Sequence, residues 1–202
     1  MKAKKSGDRH PLLLYRRTID RIWKSSLALS IVFGIVVWFD LIYEVSIFGF
    51  SSKLWLFAVC VLALGISIFG FLARRFAYVK VFSSYFKVAT PFLRFRISFR
   101  RMRSVYPVLV QQLFPKDESK WSERNFLEPF YGKTALVMEL KGYPVNPVLL
   151  RLFLPAQMFS PRTTGFVLIV PDWMKLSTEL DSFHGTWLQR EGIRRREAHL
   201  KT

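Results

Sequence analysis

The spacing of hydrophobic residues changes near residue 75. Upstream, Leu54–Leu72 contains no charged side chain and, at about 1.5 Å rise per residue, is long enough to cross the ~30 Å hydrocarbon core of a bilayer. An earlier uncharged run, Ser25–Phe39, reaches a similar length if it extends to about Tyr43. The pattern predicts two transmembrane helices, over about residues 25–43 and 54–72, joined by a tight turn over residues 44–53.

Downstream of the two spans, apolar and polar residues alternate in short runs. In the clearest run, Phe92–Phe99, apolar residues at odd positions alternate with mainly cationic residues at even positions, which is typical of a strand with one buried face. Turn residues separate the runs. Seven strands are predicted, over residues 77–82, 85–89, 92–99, 104–110, 134–140, 148–154 and 166–171.

The period becomes helical after Asp172, which is placed as an N-cap. Apolar residues then recur at spacings of three and four, and we expect this helix to close the sheets and to end near Gly192. The predicted stripe consists of Trp173, Leu176, Leu180, Phe183 and Trp187.

These elements predict an α+β membrane protein, with a two-helix transmembrane hairpin followed by an antiparallel β barrel or sandwich that a C-terminal α-helix closes. We divide the chain into a basic N-terminal segment (residues 1–24), the hairpin (25–73), the β domain (76–190) and a basic tail (191–202). The apolar residues of Pro11–Trp23 have helical spacing, so this segment is either an interfacial helix on the cytoplasmic leaflet or an extension of the first span.

The charge of the chain indicates an anionic partner. Its 31 Lys and Arg against 14 Asp and Glu give a net charge of +17. The basic residues concentrate in residues 1–24 and 74–103, which flank the predicted hairpin. Because cytoplasmic flanks carry excess Lys and Arg, both termini are predicted to be cytoplasmic and the chain to be a multi-pass protein of the inner (plasma) membrane.

Candidate catalytic or metal-binding chemistry is scarce. The chain has one cysteine, Cys60, and three histidines far apart in the sequence, and it contains no phosphate loop or hydrolase motif. We therefore expect a protein that is not an enzyme, with no cofactor and no metal site.

One stretch resembles a known family. Phe82–Pro107, FSSYFKVATPFLRFRISFRRMRSVYP, is similar to bacterial pleckstrin-homology-like (PH-like) domains of the type preceded by a two-helix membrane hairpin. The resemblance implies the PH-like fold and a location at the membrane face. Lys87 with Arg94 and Arg96 approximates the Lys…Arg-x-Arg signature with which eukaryotic members bind phosphoinositides.

The basic residues around the third predicted strand are candidates for binding anionic lipid. Alternation places Arg94, Arg96 and Arg100 on one face, and each basic residue near an anionic leaflet contributes about 1 kcal/mol. The other reading is a solvated face that became basic through the positive-inside rule; nucleic acid is a less favoured partner beside a bilayer. The full candidate set is Arg74, Arg75, Lys87, Arg94, Arg96, Arg100, Arg101 and Arg103.

The polar segment from Phe114 to Gly132 has no clear period and carries aromatic residues that could dock a partner: Trp121, Phe126, Phe130 and Tyr131. Two functions follow. The first is a membrane-anchored module that binds anionic lipid, a peptide or a protein at the cytoplasmic face. The second is a small accessory subunit of a larger membrane assembly, with a membrane protein or a second copy of the chain as partner.

Overall fold

The structure is a computed structural model that describes residues 6–43, 50–118 and 120–199. Most of the predicted turn over residues 44–53 lies outside these ranges. The strands are β1 (Ser6–Pro11), β2 (Tyr78–Phe82), β3 (Tyr85–Ala89), β4 (Arg94–Ser98), β5 (Met102–Leu109), β6 (Thr134–Leu140) and β7 (Gly165–Leu168). The helices are α1 (Leu13–Tyr43), α2 (Phe50–Ala73), α3 (Val110–Leu113), α4 (Trp121–Leu127), α5 (Pro147–Phe153) and α6 (Trp173–His199).

The strands form two antiparallel sheets. Sheet A has the order β1-β2-β3-β4, and sheet B has the order β5-β6-β7. All strand pairs connect neighbours in this order, as in two meanders. The described residues therefore show two separate sheets, and a closed barrel is not shown.

Strand β1 differs from the sequence expectation. Residues 1–24 were predicted to be a basic interfacial segment, yet Ser6–Pro11 pairs with β2 as the edge of sheet A. Residues 1–15 and 77–202 accordingly form one compact unit, the sheet unit, and residues 16–76 form a second, the helical unit. Along the chain, the helical unit is an insertion between the first two strands of sheet A.

The helical unit contains two helices that are long and apolar enough to cross a membrane. The most apolar 18-residue window has a mean hydropathy of 1.8 within Leu13–Asp40 and of 2.6 within Leu54–Phe76. Only 6% and 22% of these windows is buried within the structure. A core helix of a soluble protein would be mostly buried, so the exposed aliphatic side chains favour a lipid environment.

Small residues lie where the two helices of this unit approach. Ser30, Ala63 and Ser67 are buried although most of their neighbours on the helices are exposed, because small side chains let two helices approach closely. The Ser30 hydroxyl donates a hydrogen bond to the Cys60 carbonyl oxygen at 3.2 Å. Arg74, directly after α2, places its Nε 3.4 Å from a carboxylate oxygen of Asp20 in α1.

The core of the sheet unit lies between the two sheets and α6. The Phe95 ring of sheet A meets the Phe166 ring of sheet B with centroids 5.5 Å apart. Alternation within β2, β3 and β4 of sheet A supplies the inward side chains. The fully buried residues include Val79, Val81, Phe86, Ile97, Leu136, Met138, Leu168, Leu176 and Leu180.

Helix α6 begins as predicted but extends further. The Asp172 carboxylate accepts a hydrogen bond from the Lys175 amide at 2.9 Å, which confirms the N-cap. The helix continues through Gly192 to His199, so the described part of the predicted tail, residues 191–199, is helical. The fully buried part of the predicted stripe ends at Leu180. Trp187, the last residue of the stripe, is half-buried, with its ring centre 6.3 Å from that of Phe99.

Helix α5 corrects a predicted strand. Residues 148–154 were predicted to be a strand, but Pro147–Phe153 is helical. Asn146 precedes the helix as its N-cap, and its side chain accepts a hydrogen bond from the Val148 amide at 3.0 Å. Asn at the N-cap followed by Pro at the first helical position is a helix start signal. It outweighs the strand propensity of a short apolar run.

Candidate anion-binding surface

Four basic side chains form one cross-strand row on the outer face of sheet A, here called the cationic row. Arg9 of β1 lies opposite Lys80 of β2, Lys80 opposite Lys87 of β3, and Lys87 opposite Arg96 of β4. Directly opposed residues in an antiparallel pair have Cβ atoms about 4.5–5.5 Å apart. The row therefore holds four positive charges within the width of one sheet.

Three of these four cations lie against aromatic rings on the same face of the sheet. The Arg9 guanidinium lies 5.0 Å from the centre of the Tyr78 ring, and that of Arg96 lies 5.2 Å from the centre of the Tyr85 ring. The Lys80 ammonium lies 5.4 Å from the centre of the Phe82 ring. Cations within about 6 Å of an aromatic face are attracted to it, so the rings orient the row without neutralising it.

Carboxylates are missing from the row among the described residues. The ion pairs described in the sheet unit join Lys175 to Asp8 and His10 to Glu179, and none of them includes a residue of the cationic row. Like charges opposed across strands destabilise a sheet. The arrangement is therefore a surface on which a bound anion would relieve repulsion.

The end of β1 that carries Arg9 is fixed by α6. The Glu179 carboxylate accepts hydrogen bonds from the Asp8 amide at 3.1 and 3.2 Å and lies 3.2 Å from Nε2 of the buried His10. Lys175 Nζ lies 2.8 Å from a carboxylate oxygen of Asp8. A side chain at Gly7 would overlap the Glu179 carboxylate. With Asp8 and His10 held by the helix, Arg9 points to the opposite face.

The predicted lipid-binding residues divide into four groups in the structure. Lys87, Arg94 and Arg96 lie together on the outer face of sheet A, and both arginines are exposed. The strand ends at Ser98, so the alternation that placed Arg100 on this face does not reach it; Arg100 and Arg101 belong to a 3₁₀ turn. Arg103 is in β5 of sheet B. Arg74 and Arg75 belong to the helical unit.

Sequence reasoning missed Arg9 and Lys80. The alternation Tyr78–Lys80–Phe82 in β2 is the same signal that identified Arg94 and Arg96, and it could have been extended to Lys80. Arg9 had no such signal, because SGDRHP lacks alternating apolar residues. Its place in the row depends on pairing with a strand that follows the whole helical unit.

The predicted docking residues differ in exposure. Phe126, Phe130 and Tyr131 are buried within the sheet unit, because α4 and the 3₁₀ turn after it fold the segment onto the core. A side chain buried in its own domain offers little surface to a partner, so burial disfavours these three as docking residues. Trp121, at the start of α4, is 76% exposed and remains a candidate for docking.

The outer face of sheet B carries one carboxylate among hydroxyl donors. Glu139 accepts hydrogen bonds from the Ser104 hydroxyl at 2.7 Å and the Tyr106 hydroxyl at 3.1 Å. These two bonds lower the pKa of Glu139 below its ordinary value. Burial first, and then the neighbouring Glu139, raise the pKa of Tyr106.

Among the described residues, no group of three His, Cys, Asp or Glu side chains is placed to hold a metal ion. The chain matches no protein-family model, and no curated protein and no solved structure is significantly similar to it.

Proposed function

We propose that this protein is a non-enzymatic, membrane-anchored module whose sheet A binds anionic lipid head groups. The observation that carries the proposal is the cationic row of Arg9, Lys80, Lys87 and Arg96, which extends across four strands without a carboxylate among the described residues of the row. Arg94 lies two residues before Arg96 on the same face and adds a fifth cation.

Lipid is the anion that best suits the rest of the chain. Two apolar helices tether the sheet unit to a bilayer in this proposal, so phosphate head groups would be present at high local concentration. Each basic residue near an anionic leaflet contributes about 1 kcal/mol. Four or five such residues would bind the leaflet firmly at low salt and weakly at high salt.

A hairpin topology with both termini in the cytoplasm is part of the proposal. β1 precedes both apolar helices and β2 follows them, yet the two strands are hydrogen-bonded in one sheet. Two paired strands lie on the same side of a bilayer, so the chain between them crosses it an even number of times. The basic residues at both flanks, among them Arg21 and Arg75, favour the cytoplasmic side of the plasma membrane. Tags at residue 1 and residue 202 should be accessible from the same side.

We also propose that the sheet unit has a PH-like fold. This is supported by a four-stranded and a three-stranded antiparallel sheet followed by a C-terminal helix that contacts both sheets. The helical unit would then occupy the connection between the first two strands, with β1 preceding the hairpin.

The lipid proposal is tested with the full chain in nanodiscs of neutral phosphatidylcholine. Sedimentation should show that sucrose-loaded vesicles of phosphatidylcholine and phosphatidylglycerol in a 7:3 ratio bind these nanodiscs, and that pure phosphatidylcholine vesicles do not. The triple variant Lys80→Gln, Lys87→Gln and Arg96→Gln should lose about 3 kcal/mol, more than a hundredfold in affinity. Binding should also weaken as salt rises above about 0.1 M.

A matched variant removes the same charge elsewhere in the sheet unit: Lys116→Gln, Lys133→Gln and Lys141→Gln, three exposed lysines outside sheet A. It should bind the anionic vesicles within about threefold of the wild type, since only nonspecific attraction is reduced. Equal losses in the two triple variants would defeat the assignment to sheet A. If the wild type ignores anionic vesicles, the accessory-subunit function becomes the better proposal, with the exposed Trp121 as its docking residue.

A further inference from the structure

Helix α5 turns apolar side chains outward. Val148 and Leu152 are 72% and 73% exposed, and Leu149 lies exposed beside them, whereas Leu150 on the other side of the helix is fully buried. Residues three and four apart on a helix are neighbours, so Leu152 lies beside both Leu149 and Val148 and the three side chains form one surface. Phe92, 59% exposed, joins them, because its ring stacks on that of Phe153 at 6.2 Å. We call these four residues the apolar face: Phe92, Val148, Leu149 and Leu152.

The apolar face rests on fixed elements. Asn146 caps the start of α5, as described above, and Leu150 anchors the helix in the core. The turn that presents Phe92 is held by the buried Thr90, whose hydroxyl donates to the Leu93 carbonyl oxygen at 2.8 Å and accepts from the Leu93 amide at 3.0 Å. A preorganised surface loses little entropy on binding.

The apolar face is continuous with the cations of sheet A. Phe92 lies in the turn that leads directly into β4, whose exposed Arg94 and Arg96 share one face, with the buried Phe95 and Ile97 on the other. Arg151 is exposed on α5 itself, three residues after Val148 and therefore beside it on the helix. The surface therefore changes from apolar to cationic over a few residues. The boundary of an anionic leaflet has the complementary order, with acyl chains beneath phosphates.

We propose that the apolar face inserts into the acyl-chain boundary of an anionic leaflet while Arg94 and Arg151 contact its phosphates. This inference rests on the lipid binding proposed above and adds to it a defined depth and orientation. Insertion gives sheet A a preference for membrane surfaces over soluble polyanions, because a soluble polyanion offers nothing to cover Val148 and Leu152.

The test uses the full chain in phosphatidylcholine nanodiscs and the same anionic vesicles, now containing lipid brominated near the top of its acyl chains. Cys60, the one cysteine of the sequence, is changed to Ser, and Leu152→Cys carries an environment-sensitive fluorophore. The probe should shift to the blue and be quenched by the bromines when anionic vesicles are added. A probe at Leu188→Cys, an exposed leucine of α6, should show neither change.

Affinity gives a second readout. Leu152→Ser should weaken binding to anionic vesicles about tenfold, the effect of losing one buried leucine side chain, whereas the matched Leu188→Ser should leave it unchanged. If the wild type binds anionic vesicles but the Leu152 probe is not quenched and Leu152→Ser binds normally, insertion is wrong and the lipid function stands. If the wild type does not bind, both proposals fall. A blue shift without vesicles that grows with protein concentration would overturn insertion in favour of a second copy covering this face.

Discussion

The outer faces of the two sheets differ in how their charged side chains are balanced. In sheet B, the Glu139 carboxylate is surrounded by the hydroxyl donors Ser104 and Tyr106 and lies near Arg103. In sheet A, Lys80 and Lys87 have a basic residue opposite them on each side. The outer face of sheet B therefore satisfies its carboxylate with neighbouring donors, whereas the outer face of sheet A places like charges opposite one another.

The difference bears on the proposed function. A row of opposed cations costs stability, and a sequence optimised for stability alone would place a carboxylate in it. Sheet B contains such a carboxylate, Glu139, on its outer face. If sheet A binds anionic head groups as proposed, the bound anion would offset the repulsion within the row.

Breaking sheet B should have the largest effect. Gly165 lies opposite Glu139, and a Cβ atom there would overlap the backbone carbonyl of Met138. Because a strand backbone cannot move aside as a side chain can, Gly165→Ala should reduce the free energy of unfolding by about 3 kcal/mol, the upper end of overpacking costs. Thermal unfolding of the full chain in detergent measures this.

The control is Gly142→Ala, in the turn after β6, where an added Cβ meets no atom within 4 Å. It should unfold close to the wild-type temperature. If Gly165→Ala is as stable as Gly142→Ala, the close pairing of β6 with β7 is wrong.

Placing a carboxylate in sheet A should have a smaller effect of opposite sign. Lys87→Glu faces Lys80 on one side and Arg96 on the other, so two repulsive pairs become attractive. At about 0.2–1 kcal/mol for each cross-strand pair, the free energy of unfolding should rise by about 1 kcal/mol in low salt and less in high salt. Urea unfolding of the full chain at two salt concentrations measures the gain.

The same change should weaken binding to anionic vesicles, so stability and binding move in opposite directions. Lys141→Glu, on an exposed residue outside sheet A, should leave stability almost unchanged. A Lys87→Glu variant that is less stable than the wild type in low salt would show that the row is already neutralised.

The smallest effect concerns the titration of Glu139. Its pKa is lowered by the Ser104 and Tyr106 hydrogen bonds, so the folded state gains stability above the ordinary pKa of 4.5 and loses it as pH falls through the lower folded pKa. Ser104→Ala removes the hydrogen bond that lowers the pKa of Glu139 most, so this pKa should rise. Between about pH 5 and pH 3 the variant should then lose less stability than the wild type.

Unfolding temperatures at a series of pH values measure this difference. Ser122→Ala, an exposed serine of α4, serves as the control and should follow the wild-type pH profile. Parallel profiles for wild type and Ser104→Ala would mean that the Ser104 hydroxyl does not stabilise the carboxylate.

The sequence alone was sufficient to predict the elements whose structure depends on residues a few positions apart. Tyr85–Ala89 and Thr134–Leu140 have the predicted bounds, because their alternation and turn residues act within a few positions. The N-cap Asp172 and the two apolar helices were predicted for the same reason. In the candidate site, local alternation also identified Arg94 and Arg96, and the resemblance to PH-like domains added Lys87.

The sequence alone was not sufficient to predict the elements whose structure depends on contacts with distant parts of the chain. Ser6–Pro11 has no strand pattern of its own and is held by β2 and by Glu179, far along the chain. Arg9 could not be assigned to the row for that reason. In α5, a short apolar run fits a strand or a helix equally, and tertiary burial of one side decided in favour of the helix.

The insertion of the helical unit between β1 and β2 also sets an order of events during synthesis. β1 leaves the ribosome before both apolar helices, and its partner β2 follows only after residues 12–77, which at about 5–20 residues per second takes roughly 3 to 13 seconds. During that interval β1 has no sheet to join, and α6, whose Glu179 holds it, is made after all seven strands of the described residues. The sheet unit can therefore complete its fold only after both apolar helices have been translated. A folded sheet unit is thus evidence that the synthesis of both helices is finished.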